Sequence, residues 1–261
     1  MFQVIAILAI SFAASIIGSV SGVGSGIIIK PVLEFSMSDM NVVQISLFSS
    51  AAVFTMALTA LARQRSALKD FEFKKGVPIA AGSIIGGIIG NMIFGVIAEK
   101  SGADVLAVTQ AAAKIIVMGV LLAHQIFESK IKKLKLERVI TYIILGICMG
   151  IIAAFLGIGG GPLNLSALVL FFSMSLKTAA LYSMFIILFA QGANLIRWGV
   201  FTGFPEININ LMLAALIGSV AGALIGASLY KKVNSKILKR LYSGVLLFVI
   251  IVAAVNLFMY I

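Results

Sequence analysis

The sequence predicts an all-α integral membrane protein made of two inverted repeats, each a glycine-broken re-entrant hairpin followed by three transmembrane helices. Three observations predict it. Of the 261 residues, 61% are hydrophobic and 11% charged, far from the balance of a soluble domain. Apolar runs of about 20 residues, the length a helix needs to cross a hydrocarbon core about 30 Å thick, recur between short polar stretches. A run of alternating glycines occurs twice, as GVGSGIIIKPVLEFSMS from Gly22 and as GIGGGPLNLSALVLFFSMS from Gly157. The ten-residue alternation of membrane barrel strands is absent from the sequence.

The apolar segments fall near 3–37, 41–62, 77–98, 104–124, 139–175, 178–199, 208–230 and 241–261. Six have ordinary spanning lengths, whereas the first and fifth hold about 36 residues, which as straight helices would reach about 54 Å. Both must bend, break or double back, and both carry a glycine run near the middle. The opening MFQVIAILAISFAASIIGS resembles a signal-peptide core but has no basic residue before its apolar run. Because this region recurs inside the chain, it reads as mature protein.

The recurrence is a duplication. FSMS at Phe35 to Ser38 matches FSMS at Phe172 to Ser175, and GSIIGGIIG from Gly82 matches GSVAGALIG from Gly218. The single membrane domain therefore divides into a repeat at 1–125, a basic linker at 126–138 and a repeat at 139–261. Internal symmetry of this kind is a feature of secondary transporters.

Charge orients the segments. The net charge is +11, and 15 of the 20 basic residues fall in three stretches, Arg63 to Lys75, Lys130 to Arg138 and Lys231 to Arg240. That pattern is the positive-inside signature, so it argues for a bilayer and against a nucleic-acid partner. If every segment crossed once, the first and third basic stretches would lie on opposite sides. If the two long segments enter and return, the stretches at 63–75, 124–138 and 231–240 are all cytoplasmic, and the outer loops at 98–104 and 199–208 hold one lysine and three acids. The same parity inverts the repeats. Two short crossings of about 15 residues in place of each hairpin satisfy the parity equally, though that is short for a span.

Glycines spaced by four at 82, 86 and 90 and at 218, 222 and 226 make one small helix face, suited to close packing. The spacing of two at Gly22, Gly24 and Gly26, and the run at Gly157, Gly159, Gly160 and Gly161, cannot form one face and read as breaks. Non-helical backbone at membrane depth must be buried in protein or line a cavity. A break that starts a half-helix presents free N–H groups and the positive end of the helix dipole, which suits an anion. Ser25 and Asn164 beside the breaks can add to such a site, as can Gln191 and Asn194, three residues apart on one helix face. Ser21, Gln44, Ser46, Ser49, Ser50 and Ser183 are further polar neighbours, and any one of these polar residues, Ser25, Asn164, Gln191 and Asn194 included, is more often a helix-packing hydrogen bond.

Basic residues enter the apolar zone at Lys30, just past the first break, and at Lys114 in AAAKIIVMG; both are candidate countercharges. Arg197 closes the sixth segment and reads as a snorkelling residue. His124, at a segment end, reads as interfacial. The acids, Glu34, Asp39, Asp70, Glu72, Glu99, Asp104, Glu128, Glu137 and Glu206, all lie in loops or near segment ends. With no carboxylate mid-membrane, a metal-cation site or a carboxylate relay is not expected, and proton coupling would need substrate protonation or a less usual residue. Cys148, in an apolar run, reads as a small buried hydrophobe. Intramembrane proteolysis and ATP-driven transport lack their motifs, so no catalytic residue, metal or cofactor is expected.

The repeated run, GVGSGIIIKP in one half and GIGGGPLNLS in the other, in an eight-segment duplicated membrane chain of this length, resembles the TauE/SafE sulfite exporter family. The resemblance covers essentially the whole sequence. It implies an inner-membrane permease for small sulfur oxyanions or organosulfonates such as sulfite, thiosulfate or sulfoacetate. By resemblance the functional positions are Gly22, Gly24 and Gly26 with Pro31, and Gly157, Gly159, Gly160 and Gly161. Ser25 stands where the pattern has glycine, Pro162 follows the second run directly, and Ser166 occupies the place of Pro31.

The expected function is a secondary transporter of a small sulfur-containing anion, working by alternating access around the two breaks. Its partners are the anion, the bilayer and a coupling ion if transport runs uphill. A carrier of another small anion, such as a carboxylate, and a non-transporting membrane assembly factor are the alternatives.

Overall fold

The computed structural model describes residues 2–260 apart from 38–39, 41, 102, 129–130, 132–133 and 204–205. Asp39, Ser38 of the repeated FSMS, and Lys130, Lys132 and Lys133 of the linker lie outside the described residues. Among the described residues there is no strand, and the helices are α1 (Phe2–Ser21), α2 (Gly26–Ser36), α3 (Val42–Arg63), α4 (Phe73–Ser101), α5 (Ala103–Ile126), α6 (Val139–Leu156), α7 (Gly161–Phe172), α8 (Leu176–Arg197), α9 (Ile209–Lys232) and α10 (Ser235–Tyr260). Eight of these are long and apolar enough to cross a membrane, all but α2 and α7.

Both long apolar segments are broken at their glycines, but into unequal arms. The first divides into 20 and 11 helical residues and the second into 18 and 12. The second arms are half-helices of about 16–18 Å at 1.5 Å per residue. The basic stretches are also shorter as loops than their charges suggest. α9 continues through Lys232 and α10 begins at Ser235, so the stretch at 231–240 is almost wholly helical. Lysine and arginine are good helix formers, so a helix carries on past the point where hydropathy falls.

The two halves interlock. The most extensive packing joins α4 of the first half to α6 of the second, and α1 of the first to α9 of the second, while α5 packs on α10 and α3 on α8. Exchanging α1–α5 for α6–α10 in chain order maps these four pairs onto one another. The four-residue glycine stripes make the two largest contacts. Gly82, Gly86 and Gly90 on α4 lie against the carbonyls of Ile143, Ile147 and Ile151 on α6; Gly218, Gly222 and Gly226 on α9 lie against those of Leu8, Phe12 and Ile16 on α1. Within each pair the numbering rises in the same direction, so the paired helices run parallel. On α1 the facing side carries Ser11, Ser15 and Ser19, all buried, and the Ser19 hydroxyl donates to the Ser15 carbonyl at 2.5 Å. Small residues on both faces bring the backbones together, the geometry that packs helices where water supplies no hydrophobic drive.

Cys148 is exposed on the outer face of α6, contrary to the expectation of a buried thiol. In a bilayer the lipid-facing side is as apolar as the core, so an apolar run does not say which side a small residue takes.

Candidate functional site

Each break is built by residues in left-handed backbone. Gly22 and Gly24 have φ of +74° and +84°, and Gly157, Gly159 and Gly160 have +64°, +70° and +80°. Side chains rarely adopt this region, which is why glycine recurs at intervals too short for one helix face. Gly157 caps α6 from a left-handed conformation, with its N–H donated to the Ala154 carbonyl at 3.1 Å. The turns that follow start α2 at Gly26 and α7 at Gly161.

The breaks touch each other. A side chain on Gly161 would run into the Val23 carbonyl, and one on Gly22 into Ala180 of α8. Around them, Gly26 lies against Val53 and Ser49 of α3, and Gly24 against Ile187 of α8. Val53 and Ile187 stand near the middle of these 22-residue helices, so the first break lies about halfway along α3 and α8. The first bonds of these helices run from Ile28 and Ile29 to the Ser25 carbonyl and from Asn164 to the Gly160 carbonyl; the N–H groups ahead of them are the ones a helix start leaves without an intrahelical partner. Pro162 removes one such donor from α7.

The predicted site residues separate into two groups. Gly26, Lys30, Lys114 and Gly157 line one cavity of about 30 Å³ between α2, α5, α10 and the α6–α7 connection. Lys30 turns its ammonium toward Gly157, where a Cβ would stand 3.0 Å from Nζ. That position also places a cation at the carbonyl end of α6, which the helix dipole favours. Lys114 reaches the cavity from the middle of α5; one turn earlier on that helix, Gln110 donates through Nε2 to the Phe155 carbonyl at 2.5 Å.

The second group surrounds the start of α7. Asn164 is 2% exposed and its Oδ1 has no partner among the described residues. Gln191 Nε2 would lie 3.8 Å from a Cβ on Gly159. Asn194 donates through Nδ2 to Gln191 Oε1 at 3.4 Å, joining the expected pair. Ser25, fully buried at the start of α2, also has an unpartnered hydroxyl. A buried polar atom without a partner is unusual in a packed interior and marks a place where a ligand or water can bind. Gly22 has a packing role against α8 rather than a place on the cavity.

Two contributors escaped the sequence. Glu34, in the last turn of α2, lines the same cavity as the two lysines; its spacing of four from Lys30 was the available signal. Tyr242 of α10 is fully buried, donates to the Pro162 carbonyl at 2.9 Å and lies 2.6 Å from the Ser166 hydroxyl. It ties the first turn of α7 to α10.

The fold and site define a polytopic helical membrane protein with two glycine-broken segments brought together at its centre. The family model described as sulfite exporter TauE/SafE matches residues 7–253, and the chain belongs to that family. No curated protein matches the chain. Membership makes this a multi-pass membrane protein of a transporter family, with a general role in exporting sulfite or related sulfur anions.

Proposed function

We propose that the protein is a secondary transporter, not an enzyme, that carries a small sulfur-containing anion such as sulfite, thiosulfate or an organosulfonate across the inner membrane. The observation that carries the reading is the meeting of the two breaks beside a cavity that holds both intramembrane lysines, Lys30 and Lys114. Free N–H groups at the starts of α2 and α7 supply directional donors for the anion's oxygens. The lysines supply countercharge, and Ser25, Asn164 and Gln191 supply neutral partners.

A volume of about 30 Å³ holds a water or two, less than a sulfur oxyanion needs. Binding therefore requires the helices around the breaks to part, which fits alternating access between two half-molecules related by a twofold. In this reading the repeats are inverted in the membrane, the basic stretches at 63–75, 124–138 and 231–240 face the cytoplasm, and the first break enters from the outside.

The test is flux of sulfite, thiosulfate and sulfoacetate into proteoliposomes, with Lys114→Ala beside the wild type. Losing a charged hydrogen-bond donor should weaken anion binding by about 1.5–3 kcal/mol, roughly 10- to 150-fold. Unaltered flux and affinity in the variant would remove Lys114 from the mechanism, and competition by carboxylates stronger than by sulfur anions would reassign the substrate.

A further inference from the structure

α3 and α9 pack together, and each ends on a cation, Arg63 on α3 and Lys232 on α9. A groove of about 520 Å³ lies between these ends, lined by Arg63 and by Leu224, Ile225, Ser228, Leu229 and Lys232. Its charged and apolar walls are separated by depth. The membrane-spanning stretches of both helices close at the two cations, which therefore stand at the membrane surface. Leu224 lies about 12 Å further in along α9, at 1.5 Å per residue. Leu224, Ile225 and Leu229 are 44%, 44% and 41% exposed, and at that depth what they are exposed to is lipid.

The charge in the groove is one-sided. Neither helix contains an acid, and the ion pairs among the described residues, Lys75 with Glu72 and Lys239 with Glu128, involve neither cation. Each cation is favoured instead by the carbonyl end of its own helix. The Ser228 hydroxyl donates to the Leu224 carbonyl at 2.8 Å, so an anion in the groove takes its side-chain hydrogen bonds from Arg63 and Lys232. A lone cation at a helix end snorkels to the surface and needs no ligand. Here two cations from separate helices line one groove above an apolar wall. A soluble anion meets only the cations, whereas a phosphodiester that carries acyl chains meets both parts. The guanidinium fork suits two phosphate oxygens, and the ammonium adds a point charge.

We propose that this groove binds one anionic phospholipid, with its phosphate between Arg63 and Lys232 and its acyl chains along Leu224, Ile225 and Leu229. Basic pockets between helices at a membrane surface suit such headgroups. The site draws on both repeats, since α3 precedes the linker and α9 follows it. A bound lipid thus fastens the two halves to each other at one membrane surface, and it stabilises the folded protein according to its occupancy. The groove is separate from the central cavity, and its binding does not depend on which anion that cavity carries.

The probe is palmitoyl-oleoyl phosphatidylglycerol, with the zwitterionic phosphatidylcholine of the same chains as control. Each is titrated into purified protein in detergent, bound lipid is counted by native mass spectrometry, and the melting temperature is followed in parallel. The wild type should retain one phosphatidylglycerol under conditions that strip phosphatidylcholine, and only phosphatidylglycerol should raise its melting temperature. Arg63→Gln and Lys232→Gln should each weaken that binding about fivefold, and together about 30-fold. Arg65→Gln and Lys236→Gln remove exposed cations of the same basic stretches that lie outside the groove, and should bind as the wild type does. Without lipid all four single variants should melt with the wild type, because exposed substitutions of this kind change stability little. If the double variant does not fold, the single variants and the headgroup comparison on the wild type decide the same question. Equal retention of the two lipids, or equal losses in groove and control variants, overturns the proposal. So does inorganic phosphate that raises the melting temperature as phosphatidylglycerol does, which would assign the groove to a soluble anion. A lipid-free dimer that disappears in Arg63→Gln and Lys232→Gln would likewise overturn it and assign the groove to a second copy of the chain.

Discussion

The Val23 carbonyl occupies the space that a side chain on Gly161 would take. The two breaks, far apart in the chain, are thus in backbone contact, and the contact admits only glycine. A Gly161→Ala protein should be destabilised by at least the 1–3 kcal/mol typical of overpacking, because backbone rather than a flexible side chain must move. It should also lose transport. Detergent melting curves and vesicle flux decide this, and a melting temperature equal to that of the wild type would mean that the breaks do not touch.

Glycines elsewhere should split by what surrounds them. Gly86→Ala and Gly222→Ala would press a methyl group into the carbonyls of Ile147 and Phe12, whereas nothing lies within 4 Å of a Cβ at Gly119 or Gly244. The first pair should lower the melting temperature, by a loss of about 1–3 kcal/mol each. The second pair should hold or raise it, since alanine is favoured over glycine inside a helix by about 1 kcal/mol. Four single variants in one melting series are enough, and equal effects at all four positions would refute the parallel pairing of α4 with α6 and α1 with α9.

Tyr242→Phe removes one hydroxyl from a buried network with Ser166 and Pro162. The expected loss is about 1–3 kcal/mol, because the Ser166 hydroxyl is left buried with one partner fewer. If the first turn of α7 helps hold the anion, apparent KM for the transported anion should rise more than maximal flux falls. A double-mutant cycle with Ser166→Ala should show the two changes to be strongly non-additive.

Orientation can be read with cysteine labels in a Cys148→Ala background. Glu137 and Glu206 are both exposed, at the two ends that the charge pattern assigns to opposite sides. Glu206→Cys should react with an impermeant thiol reagent in intact cells, and Glu137→Cys only after permeabilisation. Labelling of both under the same condition would contradict the paired entry and return of the long apolar segments.

Spacing and length were the legible features. The four-residue glycine stripes announced the close pairs, the two-residue spacing at Gly22 to Gly26 announced a break, and a segment too long to cross once announced where it fell. The partners were not legible, because nothing in the order of residues says that Lys114 of α5 shares a cavity with Lys30 of α2. Glu34 lies at a segment end as expected, exposed in the last turn of α2, but its place on the rim of the cavity with Lys30 and Lys114 was not legible for the same reason. Tyr242 carried no sign of its role, since one phenol in an apolar helix looks the same whether it points to lipid or to a carbonyl. The exposure of Cys148 was equally hidden by a surrounding that is apolar on both sides.

The exchange of helices between halves also fixes an order of assembly. As the chain is made, α1 is complete long before α9 exists, and its serine face has no glycine face to receive it until nearly the whole sequence has left the ribosome. α4 waits only for α6. Contacts this distant in sequence close slowly, so a chain cut in the linker would hold two inserted but unfinished surfaces, and separately expressed halves should gain protease resistance only when made together.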